Sequence, residues 1–105
     1  MIFLSEWIKA CNLEQVKEGQ LFGLIHDDKK ILLANLKGKI HATDLICTHA
    51  NADLSTGFLS EEGVRCPLHL SVFNLENGEP QNLPAENPLK VYNVKIDGNE
   101  VYVEV

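Results

Sequence analysis

The sequence predicts an all-β domain, and three observations carry that expectation. Short apolar or alternating runs recur along the chain with turn residues between them. Near the end, Val101, Val103 and Val105 alternate with polar or aromatic neighbours behind Asp97-Gly98-Asn99, the clearest hairpin signal in the chain. The only helix-like stretch, residues 13–18, is too short to stand alone and reads as a turn before the first strand.

Residues 21–25 and 31–36 flank the polar Asp27-Asp28-Lys29-Lys30 and are expected to form a hairpin. Lys37-Gly38-Lys39 then turns the chain into a strand over 40–44. Glu61-Glu62-Gly63 precedes a strand at 64–66, and Glu76-Asn77-Gly78-Glu79 follows one at 72–75. Residues 90–97 and 100–105 make the closing hairpin. Between the two halves, Pro80, Pro84 and Pro88 punctuate a stretch that cannot supply a regular ladder of N–H donors, and it is expected to be a covering loop. There is no internal repeat and no low-complexity segment.

The chain has 105 residues, the size of one domain, so 1–105 is read as a single unit with one core. A chain this long buries roughly 60–70% of the surface its unfolded form exposes, so a bound metal would add usefully to a modest stability margin. With 45% hydrophobic and 23% charged residues, the composition is globular rather than disordered. Nine basic against fifteen acidic residues give a net charge of −6, which argues against nucleic acid or an anionic membrane as partner. No run approaches the roughly 20 apolar residues that span a bilayer, and Glu6 and Trp7 interrupt any signal-peptide core. The expected setting is the cytoplasm, and the expected state a monomer. The three cysteines, Cys11, Cys47 and Cys66, are an odd number that suits a reducing compartment.

Chemistry concentrates in two pairs, Cys47-Thr48-His49 and Cys66-Pro67-Leu68-His69, separated by the 16 residues 50–65. Each mixes a thiolate with an imidazole, and each follows a predicted strand, where hairpin tips can bring side chains to one site. Two metals suit such a set. One is tetrahedral zinc in a closed structural site. The other is a [2Fe–2S] centre in which two histidines replace two cysteines on one iron. With two thiolates the oxidised cluster carries a net charge of about zero, against about −2 with four, so an added electron is held more readily. Zinc sites usually pair like with like, so the mixed pairs favour iron and sulfur. Cys11, His26 and His41 lack a spaced partner and read as structural residues.

At these residues the sequence resembles the Rieske ferredoxin family, the small soluble electron carriers of bacterial aromatic-ring dioxygenase systems. The similarity runs through Cys47-Thr48-His49, Leu54, Gly57, Cys66-Pro67-Leu68-His69, Phe73, Gly78, Pro84-Ala85, Leu89, Tyr92, Val94 and 97–101, covering nearly the whole chain. The resemblance implies three antiparallel sheets, with a small cluster-binding part near residues 45–75 set on a larger base. It implies one Rieske [2Fe–2S] cluster per chain, Cys47 and Cys66 on the inner iron, and His49 and His69 on the outer iron near solvent.

The sequence departs from relatives of respiratory and photosynthetic complexes, which add a disulfide-forming cysteine to each loop and a membrane anchor. Here Ala50, Asn51, Ala52 and Leu68 occupy those loops. Leu70 stands where glycine is common after the second histidine. Ser71 and Phe73 match positions where high-potential relatives use Ser and Tyr hydroxyls toward the sulfurs. Such bonds stabilise the reduced state, and Phe73 cannot donate one. The implied potential is in the lower half of a range of roughly −150 to +300 mV, with Ser71 able to raise it above the family's lowest members. Ala50, Ala52, Leu68 and Leu70 would surround the cluster with apolar side chains, some shielding it and some available to a docking partner.

The leading functional expectation is a one-electron carrier without a catalytic site. It would accept electrons from a flavin-containing, NAD(P)H-dependent ferredoxin reductase and pass them to a terminal oxygenase or similar enzyme. No nucleophile with a base and no phosphate-binding glycine loop is present, and an oxygenase would need a further catalytic domain. Two alternatives stand beside it: a zinc-stabilised interaction module on the same four ligands, and the small Rieske-like subunit of a nitrite reductase or another multisubunit enzyme.

Overall fold

The computed structural model describes residues 6–48, 51–68, 71–82 and 87–105. Ten strands occur among them: β1 (Trp7–Asn12), β2 (Leu21–His26), β3 (Lys29–Leu36), β4 (Lys39–Asp44), β5 (Phe58–Ser60), β6 (Gly63–Arg65), β7 (Val72–Phe73), β8 (Val91–Tyr92), β9 (Val94–Asp97) and β10 (Glu100–Glu104). They form three antiparallel sheets, ordered β1-β10-β9, β2-β3-β4-β8 and β5-β6-β7. No α-helix occurs among the described residues; 3-10 turns at Leu13–Gln15 and Leu54–Thr56 are the helical elements present. The all-β expectation therefore holds.

The central strand explains how the sheets share the molecule. In β3, Ile31 and Leu33 face one core while Leu32 and Ala34 face another, and all four are fully buried. A strand covered on both sides reads as a continuous apolar run, as Ile31-Leu32-Leu33-Ala34 does. One core packs β3 against the β1-β10-β9 sheet through Cys11, Val16, Ala42, Val101 and Val103. The other contains Leu45, Leu54, Val64, Phe73, Leu75 and Leu89, together with Cys47 and Cys66.

Three local readings change. The turn between β2 and β3 is tighter than expected, because His26 pairs with Lys29 and only Asp27 and Asp28 lie between the strands. Asp27 has φ 55°, a left-handed conformation that aspartate tolerates better than most residues. A strand precedes the 3-10 turn that was expected before the first strand: in β1, a bulge between Lys9 and Cys11 puts Ile8 and Cys11 into the interior and breaks simple alternation. The run 90–97 is two strands. β8 pairs with β4 and β9 pairs with β10, so Asn93 marks the point where the chain leaves one sheet for the next.

Gly63 illustrates how tightly the small third sheet is assembled. Its φ is 134°, and a Cβ there would run into the Phe73 carbonyl on the neighbouring strand. Glycine is therefore required both for the conformation and for the approach of β7 to β6.

Candidate metal centre

Two loops of the same construction carry the two cysteines of interest. After β4, the chain bridges Ile46 to Asp53 and the Cys47 N–H donates to the Ala52 carbonyl at 3.0 Å, closing a loop over residues 47–52. Directly after β6, the Cys66 N–H donates to the Ser71 carbonyl at 2.8 Å, closing a loop over 66–71. In each, a cysteine opens the loop and its own N–H reaches the carbonyl five residues on. The first loop is followed by a turn in which the Asp53 carboxylate accepts from the Ser55 N–H at 2.8 Å and its hydroxyl at 2.6 Å.

Both thiols point into one apolar core. Cys47 is 3% and Cys66 0% exposed, and they share that core with Leu32, Leu45, Leu54, Val64, Phe73 and Leu89. None of the three cysteines is in a disulfide. Cys11 lies in the other core, where burial pushes its thiol up from the ordinary value. His26 sits at the edge of β2, with Nε2 3.6 Å from the Asp27 carboxylate. His41 is half-buried on β4, where it lines a cavity with Leu75 and Glu76. His49 and His69, with Ala50 and Leu70, lie outside the described residues. Of the four expected ligands, the fold thus brings Cys47 and Cys66 into one core, and Cys11, read from the sequence as structural, lies in the other.

Asp44, at the end of β4 that leads toward the first loop, is tied to β8 and the residue before it. Its Oδ1 accepts from the Tyr92 hydroxyl at 2.8 Å and its Oδ2 from the Lys90 N–H at 3.2 Å. Burial first, then the Asp44 carboxylate, raise the Tyr92 phenol well above its ordinary range.

Residue 87 bonds to the first loop, and residues 81–82 bond to the residue that follows the second. The Thr48 hydroxyl donates to the Asn87 carbonyl at 2.8 Å. Near the second loop, the Gln81 N–H donates to the Val72 carbonyl, and the Val72 N–H donates to Asn82 Oδ1, each at 2.7 Å. The covering stretch expected between Pro80 and Pro88 is described at its two ends, while Pro84 lies outside the described residues. The sequence reading passed over Thr48 and Asn82 as bonding groups. The available signal was a hydroxyl inside a ligand pair and an Asn within a proline-punctuated stretch, a residue type whose side chain often bonds backbone groups.

Comparison with known proteins agrees with this architecture. Residues 6–93 match the family described as Rieske [2Fe-2S] domain. The chain belongs to this family. Its prosthetic group is a Rieske-type [2Fe–2S] cluster. Two buried thiols in one apolar core, each heading a loop that continues to a histidine in sequence, fit a group that takes mixed sulfur and nitrogen ligands.

The Rieske chain is 36% identical over 101 residues to the ferredoxin component of the naphthalene 1,2-dioxygenase system of Pseudomonas aeruginosa, with 96% of this chain and 97% of that one covered. Its fold matches a chain in the complex of reduced oxygenase and oxidized ferredoxin of carbazole 1,9a-dioxygenase. That match has a TM-score of 0.87 and 31% identity, covering 92% of this chain and 91% of the other. It also matches the putative NADH-dependent nitrite reductase small subunit from Mycobacterium tuberculosis. There the TM-score is 0.87 at 22% identity, over 98% and 97% of the two chains, a likeness of fold alone.

Proposed function

We propose that this Rieske protein is a one-electron carrier with no catalytic site of its own, its cluster held by Cys47, His49, Cys66 and His69. The observation that carries the reading is the pair of matched loops, each opening on a cysteine buried in the same core. In this assignment Cys47 and Cys66 would hold one iron and His49 and His69 the other. The cluster-binding part is residues 45–75 of a single domain over 1–105. When bound, the cluster supplies reversible one-electron chemistry. Leu45, Leu54, Val64, Phe73 and Leu89 keep water from the thiolate side, and the loop closures at Cys47 and Cys66 fix the backbone that carries both ligand pairs.

The donor in this reading is a flavin-containing, NAD(P)H-dependent ferredoxin reductase, and the acceptor is a terminal oxygenase. Support comes from a relative that is the ferredoxin component of a dioxygenase system and from the fold shared with the ferredoxin–oxygenase complex. Of the apolar residues expected around the cluster, Ala52 is buried and Leu68 is 62% exposed, so Leu68 is available to a partner.

Visible absorption and low-temperature EPR of anaerobically purified protein, before and after dithionite, test the reading alongside His69→Ala and His41→Ala. The expected result is a red-brown protein with a Rieske-type signal, altered by the first substitution and untouched by the second. A colourless protein holding one zinc would overturn it in favour of an interaction module.

A further inference from the structure

We propose that Thr48 and Asn82 are positioning residues for the iron–sulfur centre, each tying one cysteine-bearing loop to the proline-punctuated segment that neighbours both. The inference rests on the ligand assignment above and adds how the two loops are held in register.

The need for side chains at these two points follows from the backbone. Around Phe73, β7 bridges Pro80, with the Gln81 N–H donating to the Val72 carbonyl and the Asn74 N–H to the Glu79 carbonyl, and the Val72 N–H is left for an acceptor outside the backbone. Asn82 supplies that acceptor. Val72, immediately after the second loop, accepts from the Gln81 N–H, and its own N–H is taken up by Asn82 Oδ1 rather than by a backbone carbonyl. Val72 is thus bracketed by two neighbouring residues of one segment, and the Ser71 carbonyl that closes the Cys66 loop is one residue away.

Thr48 does the corresponding work on the first loop. It stands between Cys47 and His49 in the chain, so holding its side chain constrains the backbone that carries both. Its acceptor is the carbonyl of Asn87, the residue before Pro88, where the following ring restricts the backbone to extended conformations and so limits where that carbonyl can point. The segment's far end is anchored in turn, since the Leu89 N–H donates to the Gly78 carbonyl at 2.8 Å and Leu89 packs in the core that holds both cysteines.

Thr48 and Asn82 are both exposed, whereas the cores they neighbour are built from buried apolar residues. Losing either bond therefore leaves the fold intact and shows instead in the geometry of the ligand loops. Outer-shell partners of metal ligands commonly change affinity or activity by roughly 10–100-fold when removed.

The test uses holoprotein with Thr48→Val, Thr48→Ser, Asn82→Leu, Asn82→Asp and the Val/Leu double variant. Measured are the melting temperature, the EPR g values of the reduced state, and the rate of iron release to a ferrous chelator. Val and Leu should each shift the g values and speed iron release on the order of 10-fold at an unchanged melting temperature, while Ser and Asp restore wild-type values. The double variant should fall short of the product of the single effects, because both loops carry ligands of one cluster. Wild-type g values in both Thr48→Val and Asn82→Leu would overturn the inference, as would shifts in melting temperature alone. A wild-type protein without a Rieske signal would instead overturn the ligand assignment, so the two failures are distinct.

Discussion

Cys66 and Ser71 are joined through their backbones: the Cys66 N–H donates to the Ser71 carbonyl at 2.8 Å. The bond closes the second loop without using the Ser71 hydroxyl, although the residue is fully buried. The two roles of Ser71 can therefore be separated by one substitution. We predict that Ser71→Ala retains the loop and the visible spectrum but lowers the midpoint potential. A hydrogen bond to a charged group of about 1.5 kcal/mol corresponds to roughly 60 mV in a one-electron couple. Protein-film voltammetry checks it, and an unchanged midpoint would remove the hydroxyl from the account.

Leu68 is 62% exposed in the loop that carries Cys66, within a strongly acidic part of the chain. Over residues 45–79 a single basic residue, Arg65, stands against Asp53, Glu61, Glu62, Glu76 and Glu79. An oxygenase with a basic rim is the complementary partner. Leu68→Asp is predicted to slow electron delivery to the terminal oxygenase without bleaching the cluster, and added salt to slow delivery by the wild type. Stopped-flow reduction of the oxygenase reads both, and equal rates would count against Leu68 as a contact.

Tyr92 to Phe should cost about 1 kcal/mol in chemical denaturation, because Asp44 Oδ1 loses its phenol donor while Oδ2 keeps the Lys90 N–H. The folded state raises the phenol above its ordinary value of 10.0, so it favours the neutral ring. That contribution is complete below about pH 10 and is lost as pH rises toward the folded-state value. The wild type should therefore lose stability more steeply than Tyr92→Phe above pH 10. Parallel alkaline slopes would show that Tyr92 does not control this limb.

His41 governs the acid side in the opposite sense. Burial first, then Lys39, lower its imidazole below the ordinary 6.5, against smaller opposing effects of Glu76 and the Leu75 backbone. The unfolded chain thus binds the proton more readily. Stability from this group is complete above about pH 6.5 and falls as pH drops through the folded-state value. Urea midpoints from pH 5 to pH 8 should decline toward acid in the wild type and flatten in His41→Gln; an unchanged acid slope would assign the decline to other groups.

By itself the sequence determined the β character, most hairpins and the two cysteine positions. These are local properties: alternation records which face is buried, turn residues record where a strand must stop, and a Cys-His spacing survives any folding. Residues 31–36 were legible as one arm of a hairpin, but that Ile31-Leu32-Leu33-Ala34 is buried on both faces was decided by the two cores it separates.

Tertiary structure decided what depends on partners distant in the chain. β1 escaped notice because its bulge shifts the buried face from Ile8 to Cys11, and only pairing with β10 makes it a strand. The break at Asn93 exists because β4 and β10 compete for one run and belong to different sheets. β7 and β8 fall within stretches read as strands at 72–75 and 90–97, but their length of two residues each is set by their neighbours. The Thr48 and Asn82 bonds span 39 and 10 positions, and only the folded chain brings the Thr48 hydroxyl to the Asn87 carbonyl and the Val72 N–H to Asn82 Oδ1.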